Sequence, residues 1–251
     1  MIFKWDVTIP PLSGKKPRRG YVYLPDSYDD EPQKMYPVLY IIDGHNVFFD
    51  SDATYGKSWG INAYMRWTKK AMIIVAIECN HEGNRRLIEY SPLKFETGSL
   101  GKIDGKGKVY MDWLVKELKP FIDARFRTLP DRDNTLICGS SMGGLMALYA
   151  AVEYGRYFSK AACLSPSIWV APEKFERMIA QANIRRDTFI YMDYGSEELG
   201  NHAANREALA GVVNALRSKE IDLAFRIIPG GTHSEASWER QIPVFMECFG
   251  I

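Results

Sequence analysis

The run Gly139-Ser140-Ser141-Met142-Gly143-Gly144 sets a serine among glycines, in the order Gly-x-Ser-x-Gly. It follows the strand-like TLIC and precedes the helical LMALYAAVEY. A serine on a sharp strand-to-helix turn takes a strained backbone, so small residues must flank it. The helix that follows directs free N–H groups and its positive dipole end at the same point, which favours a developing oxyanion. Those residues in that order suit nucleophilic attack on a carbonyl, with Ser141 as the nucleophile. A glycine-rich helix entry without chemistry shares the composition, but has no need of the strand before it.

A serine hydroxyl needs a base, and the base needs an acid to hold it. The chain has four histidines. His233, in IIPGGTHSEASW, follows the strand-like AFRII and precedes the last helical run, which places it at the carboxyl edge of a parallel sheet along with Ser141. His81 and His202 follow other strands and read as surface or loop histidines. No His-Glu-x-x-His occurs, and no histidine spacing suggests zinc, so neither metal nor cofactor is expected. The chain order nucleophile, acid, base places the acid after TFIYMDY, among Asp193, Glu197 and Glu198. Asp193 lies within the strand and suits a structural role, whereas the two glutamates stand beyond the strand-ending glycine and cannot be separated on physical grounds. A second oxyanion donor is expected from Gly44-His45-Asn46, where the backbone amide of His45 matters more than its ring. A turn hydrogen-bonded through Asp43 and Asn46 is compatible with that role.

These residues require a framework to position them. Strand-like runs lie at Tyr21–Leu24, Val38–Asp43, Met72–Glu78, Thr135–Cys138, Ala161–Leu164, Thr188–Tyr194 and Ala224–Ile228. VLYIID and MIIVAIE are continuously apolar and β-branched, as strands covered on both faces should be. Helical patterns alternate with them at Gly143–Tyr154, Pro172–Ala182, Asn201–Ser218 and Ser234–Phe249, and around Val109, Tyr110, Trp113, Leu114 and Leu118, before Pro120 kinks or restarts the helix. This alternation predicts an α/β fold: a mostly parallel central sheet with helices on both faces. Gly98–Lys108 is the one flexible-looking segment; it fails the phosphate-loop order and reads as a solvated loop. No linker divides the chain, so residues 1–251 are expected to form one catalytic domain.

Composition narrows the partners. Lys plus Arg number 32 against 31 Asp plus Glu in 251 residues, a net charge of +1, which argues against an extended nucleic-acid or anionic-membrane surface. Lys4 and Asp6 interrupt the only apolar stretch near the start, and no run is long enough to span a membrane. Cys79, Cys138, Cys163 and Cys248 form no Cys-x-x-Cys pair and read as reduced, mostly core thiols, which suits a cytoplasmic location. Self-association is compatible with all of this.

Taken together, these residues resemble the esterase family of the α/β-hydrolases that includes esterase D-like enzymes, feruloyl esterases, siderophore-ester hydrolases and mycolyltransferases. The resemblance runs through YVYLPDSYDD, YPVLYIIDGHNVF, Trp59-Gly60, Arg86 with Glu89-Tyr90-Ser91-Pro92, VKELKPFIDARFRT, GSSMGG, LSPSIWV, YGSEE and GGTHSEASW. It implies the α/β-hydrolase fold and a serine carboxylester hydrolase working through an acyl-enzyme on small-molecule, sugar or aryl esters. It places the nucleophile at Ser141, the base at His233 and the acid at Glu198, with Glu197 as the alternative. The oxyanion donors map to the amides of Met142 and His45. Trp169 resembles a pocket wall, and Asn46 and Arg86 join it as pocket candidates. The absence of a carbohydrate-binding module points away from polysaccharides. Acyl transfer to an alcohol by the same triad is the nearest alternative, and a non-catalytic binding protein on the same fold is the next. Specificity is expected to come from Asn80–Lys108, where Arg85 or Arg86 facing the pocket would favour an anionic or polar acyl group.

Overall fold

Val38–Ile42 (β3) and Ile73–Ile77 (β4) are buried at every position, as expected of β-branched runs with helices on both sides. In the computed structural model, which describes residues 1–98, 101–198, 200 and 202–250, they lie at the middle of an eight-stranded sheet. The other strands are β1 (Ile2–Thr8), β2 (Pro17–Tyr23), β7 (Thr135–Ser140), β8 (Lys160–Leu164), β9 (Phe189–Gly195) and β10 (Asp222–Ile228), in the spatial order β1-β2-β4-β3-β7-β8-β9-β10. From β4 to β10 every pairing is parallel, while β2 runs antiparallel to both β1 and β4. A separate two-stranded hairpin joins β5 (Phe95–Thr97) to β6 (Gly101–Ile103).

The period-two alternation of the strands divides the apolar residues between two layers. Val38, Tyr40, Ile42, Val75, Ile137, Cys163 and Met192 face one layer. Leu39, Ile41, Ile74, Leu136, Cys138, Leu164 and Tyr191 face the other. Helices Met142–Glu153, Pro172–Gln181 and His202–Arg217 supply residues to the first layer, together with the helical stretch 107–125. Helices Ile61–Thr68 and Ile242–Cys248 supply residues to the second. Met142–Glu153 is buried from Met142 to Val152, as an apolar helix laid on the sheet centre must be.

The structure departs from the sequence reading in three places and adds a detail at Pro120. Ile2–Thr8 adds an edge strand that its mixed burial disguises. At Pro120 the regular helix restarts, with the proline in the first turn of Lys119–Arg125. A π-helical turn over Leu114–Leu118 leads directly into Lys119–Arg125, and the wider turn accommodates a ring that cannot donate. The expected helix Ser234–Phe249 is two short helices, Glu235–Glu239 and Ile242–Cys248, the second opened by Pro243. Gly98–Lys108 is not a plain loop: Gly101–Ile103 pairs in β6 and Gly107 opens a helix, while Ser99 and Leu100 lie outside the described residues. Among the described residues no helix is long and apolar enough to cross a membrane.

Candidate active site

The parallel strands present their carboxyl ends along one sheet edge, and each candidate residue leaves from there. After β7, Ser141 has φ 57° and ψ −122°, a conformation rare for a residue with a side chain. Its N–H donates to the Leu164 carbonyl at 2.9 Å, and its own carbonyl accepts from Leu145 at 3.0 Å and Ser167 at 3.1 Å. The turn closes only because its neighbours lack side chains: a Cβ on Gly139 would stand 2.4 Å from the Gly143 carbonyl oxygen, and one on Gly144 would stand 2.7 Å from that of Leu164.

The loops after β9 and β10 are joined backbone to backbone. Glu197 N–H donates to Gly231 O at 2.8 Å and Ser196 N–H to Ile228 O at 2.9 Å. A Cβ on Gly195 would meet Gly231 O at 2.2 Å, so that approach requires glycine. This junction brings His233 beside Glu198. His233 Nδ1 lies 2.5 Å from Glu198 Oε2, and His233 Nε2 lies 2.9 Å from Ser141 Oγ. Glu198 is 4% exposed, and its Oε1 accepts the Gly195 N–H at 3.1 Å. Glu197 points to solvent. The Trp238 ring packs edge-on against His233 with centroids 5.0 Å apart, and its Nε1–H donates to Ser165 Oγ at 3.0 Å.

Asp193 is not part of this chain of contacts. It is 1% exposed, accepts the Ser165 N–H at 3.0 Å and the Tyr191 hydroxyl at 3.1 Å, and burial pushes its carboxyl up to about 7. It serves the turn after β8, where Ser165 also has a positive φ of 42°.

After β3, Asp43 has φ 62° and leads into the 3-10 turn Gly44–Asn46. The Arg86 Nε–H and Nη2–H donate to the two Asp43 oxygens at 2.9 and 2.6 Å. Burial raises the Asp43 carboxyl, but the Arg86 guanidinium outweighs it and holds the group below its ordinary value. Neither the His45 nor the Met142 amide donates to another protein group among the described residues. Asn46 Oδ1 accepts the Thr54 N–H at 3.0 Å, and its Nδ2–H donates to Glu235 Oε1 at 3.2 Å. Burial raises the Glu235 carboxyl.

Two cavities meet at Ser141, His233 and Arg86. One, about 450 Å³, has Met142, Ser167, Trp169 and Tyr194 in its wall, and Trp169 is 46% exposed there rather than in the core. The other, about 420 Å³, is bordered by His45, Asn46, Glu235 and Trp238. Arg85 stands away from both, beside a smaller surface cleft. His202 opens its helix, and its side chain lies outside the described residues. Sequence reasoning missed Ser167, whose Oγ is 3.3 Å from that of Ser141, and Glu235. It also missed Cys79 and His81, which border the second cavity beside His45. Ser167, in the SPSIW run beside Trp169, and Glu235, in the GGTHSEASW run beside His233, carried a sequence signal; Cys79 and His81 did not.

The fold is that of the α/β-hydrolases, and the family match makes the chain a carboxylester hydrolase of that type. Residues 13–246 match the family described as "Putative esterase", and the chain belongs to it. Over 184 residues it is 26% identical to the uncharacterised protein YbbA of Bacillus subtilis, covering 72% of this chain and 69% of that one. Over 150 residues it is 31% identical to Esterase Rv1288 of Mycobacterium tuberculosis, covering 58% of this chain but 28% of that longer protein. In structure it resembles an IroE-like serine hydrolase from Shewanella oneidensis, with a TM-score of 0.73 at 21% identity, covering 94% of this chain and 76% of that one.

Proposed function

We propose that the chain cleaves small-molecule carboxylic esters through an acyl-enzyme on Ser141. The observation that carries this reading is the continuous run Ser141 Oγ, His233 Nε2, His233 Nδ1, Glu198 Oε2, with contacts of 2.9 and 2.5 Å. Ser141 Oγ attacks the ester carbonyl carbon while its proton passes to His233 Nε2. Glu198 accepts from Nδ1–H, which fixes the tautomer and stabilises the imidazolium. The amides of Met142 and His45 hold the tetrahedral oxyanion. The alkoxide departs with the proton from Nε2, and a water activated by His233 then releases the acid and restores the serine.

The two cavities meeting at Ser141 give separate spaces to the acyl and alcohol halves, each of a size for small molecules. Arg86 borders both, but its charge is compensated by Asp43, which favours a neutral polar acyl group over an anionic one. A relative named as an esterase and a structural neighbour named as a serine hydrolase support hydrolysis, and no observation favours an alcohol over water as the acceptor. We also place the protein in a reducing, cytoplasmic setting, a reading supported by four free cysteines, one of them exposed at Cys248.

Ser141→Ala is expected to cut kcat on p-nitrophenyl acetate and butyrate by about 10⁴-fold or more and to abolish labelling by a fluorophosphonate probe. A folded variant that turns over at the wild-type rate overturns the assignment.

A further inference from the structure

We propose that His45, Cys79 and His81 form a binding site for a zinc-class divalent metal ion, and that filling it slows the ester chemistry. The second half of that statement rests on the reading of His45 as an oxyanion donor; the first does not. One donor atom from each residue lies within 4.8 Å of those of the other two, and Cys79 Sγ stands 3.8 Å from His81 Nδ1. The residues come from adjacent strand ends: His45 follows β3, and Cys79 and His81 follow β4, which pairs with it.

The outer nitrogens are already engaged in the way ligating histidines require. His81 Nε2–H donates to Glu78 Oε1 at 3.0 Å, which leaves the Nδ1 lone pair beside the thiol. His45 Nε2 pairs with Thr54 Oγ1 at 3.0 Å, and its Nδ1 is buried with no hydrogen-bond partner among the described residues. A buried ring nitrogen without a partner is costly, and in the tautomer whose Nε2–H donates to Thr54 Oγ1 a metal ion would satisfy the Nδ1 lone pair. The two imidazole rings meet edge-on, with centroids 4.6 Å apart. One sulfur and two imidazoles suit zinc, leaving a fourth position for water. An ion can enter from the same open cavity that reaches Ser141, since all three residues border it.

On binding, the Cys79 sulfur–metal bond forms as the thiol proton leaves to solvent. A tetrahedral zinc holds sulfur and nitrogen about 3.6 Å apart, given Zn–S near 2.3 Å and Zn–N near 2.0 Å. Closing the set on the ion therefore draws the His45 ring inward, and the His45 backbone with it. Misplacement of a catalytic donor by about 1 Å costs on the order of 10²-fold in rate.

The test uses the full chain and cobalt as a spectroscopic probe. One Co²⁺ per chain is expected, with a thiolate-to-cobalt charge-transfer band in the near ultraviolet. Cys79→Ser should remove the band, and His81→Ala, at an exposed position, should weaken binding by about tenfold or more. In the second arm, Zn²⁺ should slow ester cleavage by about tenfold or more. A chelator should restore the rate, and both variants should lose the inhibition, each measured against its own metal-free rate. Absence of the band, or its survival in Cys79→Ser, overturns the site. A band without inhibition, or inhibition undiminished in both variants, overturns the coupling. The cobalt spectrum reads without any substrate, so a chain that binds cobalt as described yet cleaves no ester overturns the esterase reading and leaves the site standing.

Discussion

Glu197 and Glu198 are adjacent and chemically identical, yet their surroundings differ. Glu198 is buried between the His233 ring and the Gly195 amide, while Glu197 faces water. An acid that must hold an imidazole in one tautomer needs the buried position, where its charge acts through little solvent. Glu198→Gln keeps the shape but removes the charge, and should lower kcat by about 10²- to 10⁴-fold with little change in KM. Glu197→Gln should stay within about twofold, as exposed substitutions do. Steady-state kinetics on one chromogenic ester decides this, and a larger loss at Glu197 would reverse the assignment. The family resemblance pointed to Glu198, but the residues by themselves could not separate the pair, because which glutamate turns inward depends on the stitching of the two loops through Gly195 and Gly231. The elbow around Ser141 was legible because its chemistry demands residue types in a short run. The His45–Cys79–His81 cluster was not, because it depends on the pairing of β3 with β4.

Among the elements, the strand-to-helix turn at Ser141 is the one that admits least change. Three glycines surround it, and their neighbours differ in kind. A Cβ on Gly139 or Gly144 would meet backbone oxygens at 2.4 and 2.7 Å, which cannot move without shifting the helix Met142–Glu153 or β8. A Cβ on Gly143 would meet a methyl of Ile42 at 3.1 Å and an Asp43 oxygen at 3.3 Å, contacts that a small adjustment relieves. Gly139→Ala and Gly144→Ala should each cost at least about 1–3 kcal/mol, as overpacking does, and Gly143→Ala clearly less. Urea midpoints would show the order, and equal loss in all three would refute it. Most strands were readable for a related reason: a buried strand needs an unbroken apolar run. Edge strand β1 and the β5–β6 hairpin escaped notice because half-exposed, short pairings need no such run. The π-helical turn before Pro120 escaped because the ring rules out a regular bond without specifying what replaces it.

For the molecule as a whole, Asp193 sets a pH dependence of stability that the near-zero net charge would not suggest. Its carboxyl sits under Ser165 in the layer between β9 and the last helices, facing Tyr191 and near Glu198 and Arg226, with burial pushing it up to about 7 from its ordinary 3.8. The folded chain therefore holds this proton where the unfolded chain has already released it. More protons bound in the folded state means that stability falls as pH rises from about 4 to about 7, then levels once both states are ionised. The loss is on the order of 4 kcal/mol at most. On the acid side the sign is opposite. Glu78 and Asp112 are each held down to about 2, Glu78 by the His81 hydrogen bond and Asp112 by Lys108, both against the opposing effect of burial. Their contributions are complete above about 4.5 and fade below it. Stability should therefore peak near pH 5 rather than near neutrality. Asp193→Asn keeps an oxygen to accept the Ser165 N–H and has nothing to titrate, while every other group stays common to both chains. Urea midpoints at pH 5 and pH 8 should show the wild type losing stability relative to the variant at the higher pH. Identical pH slopes for the two chains would mean that Asp193 is ionised in the fold throughout this range, with the Tyr191 hydroxyl and the Ser165 amide sufficient to hold its charge.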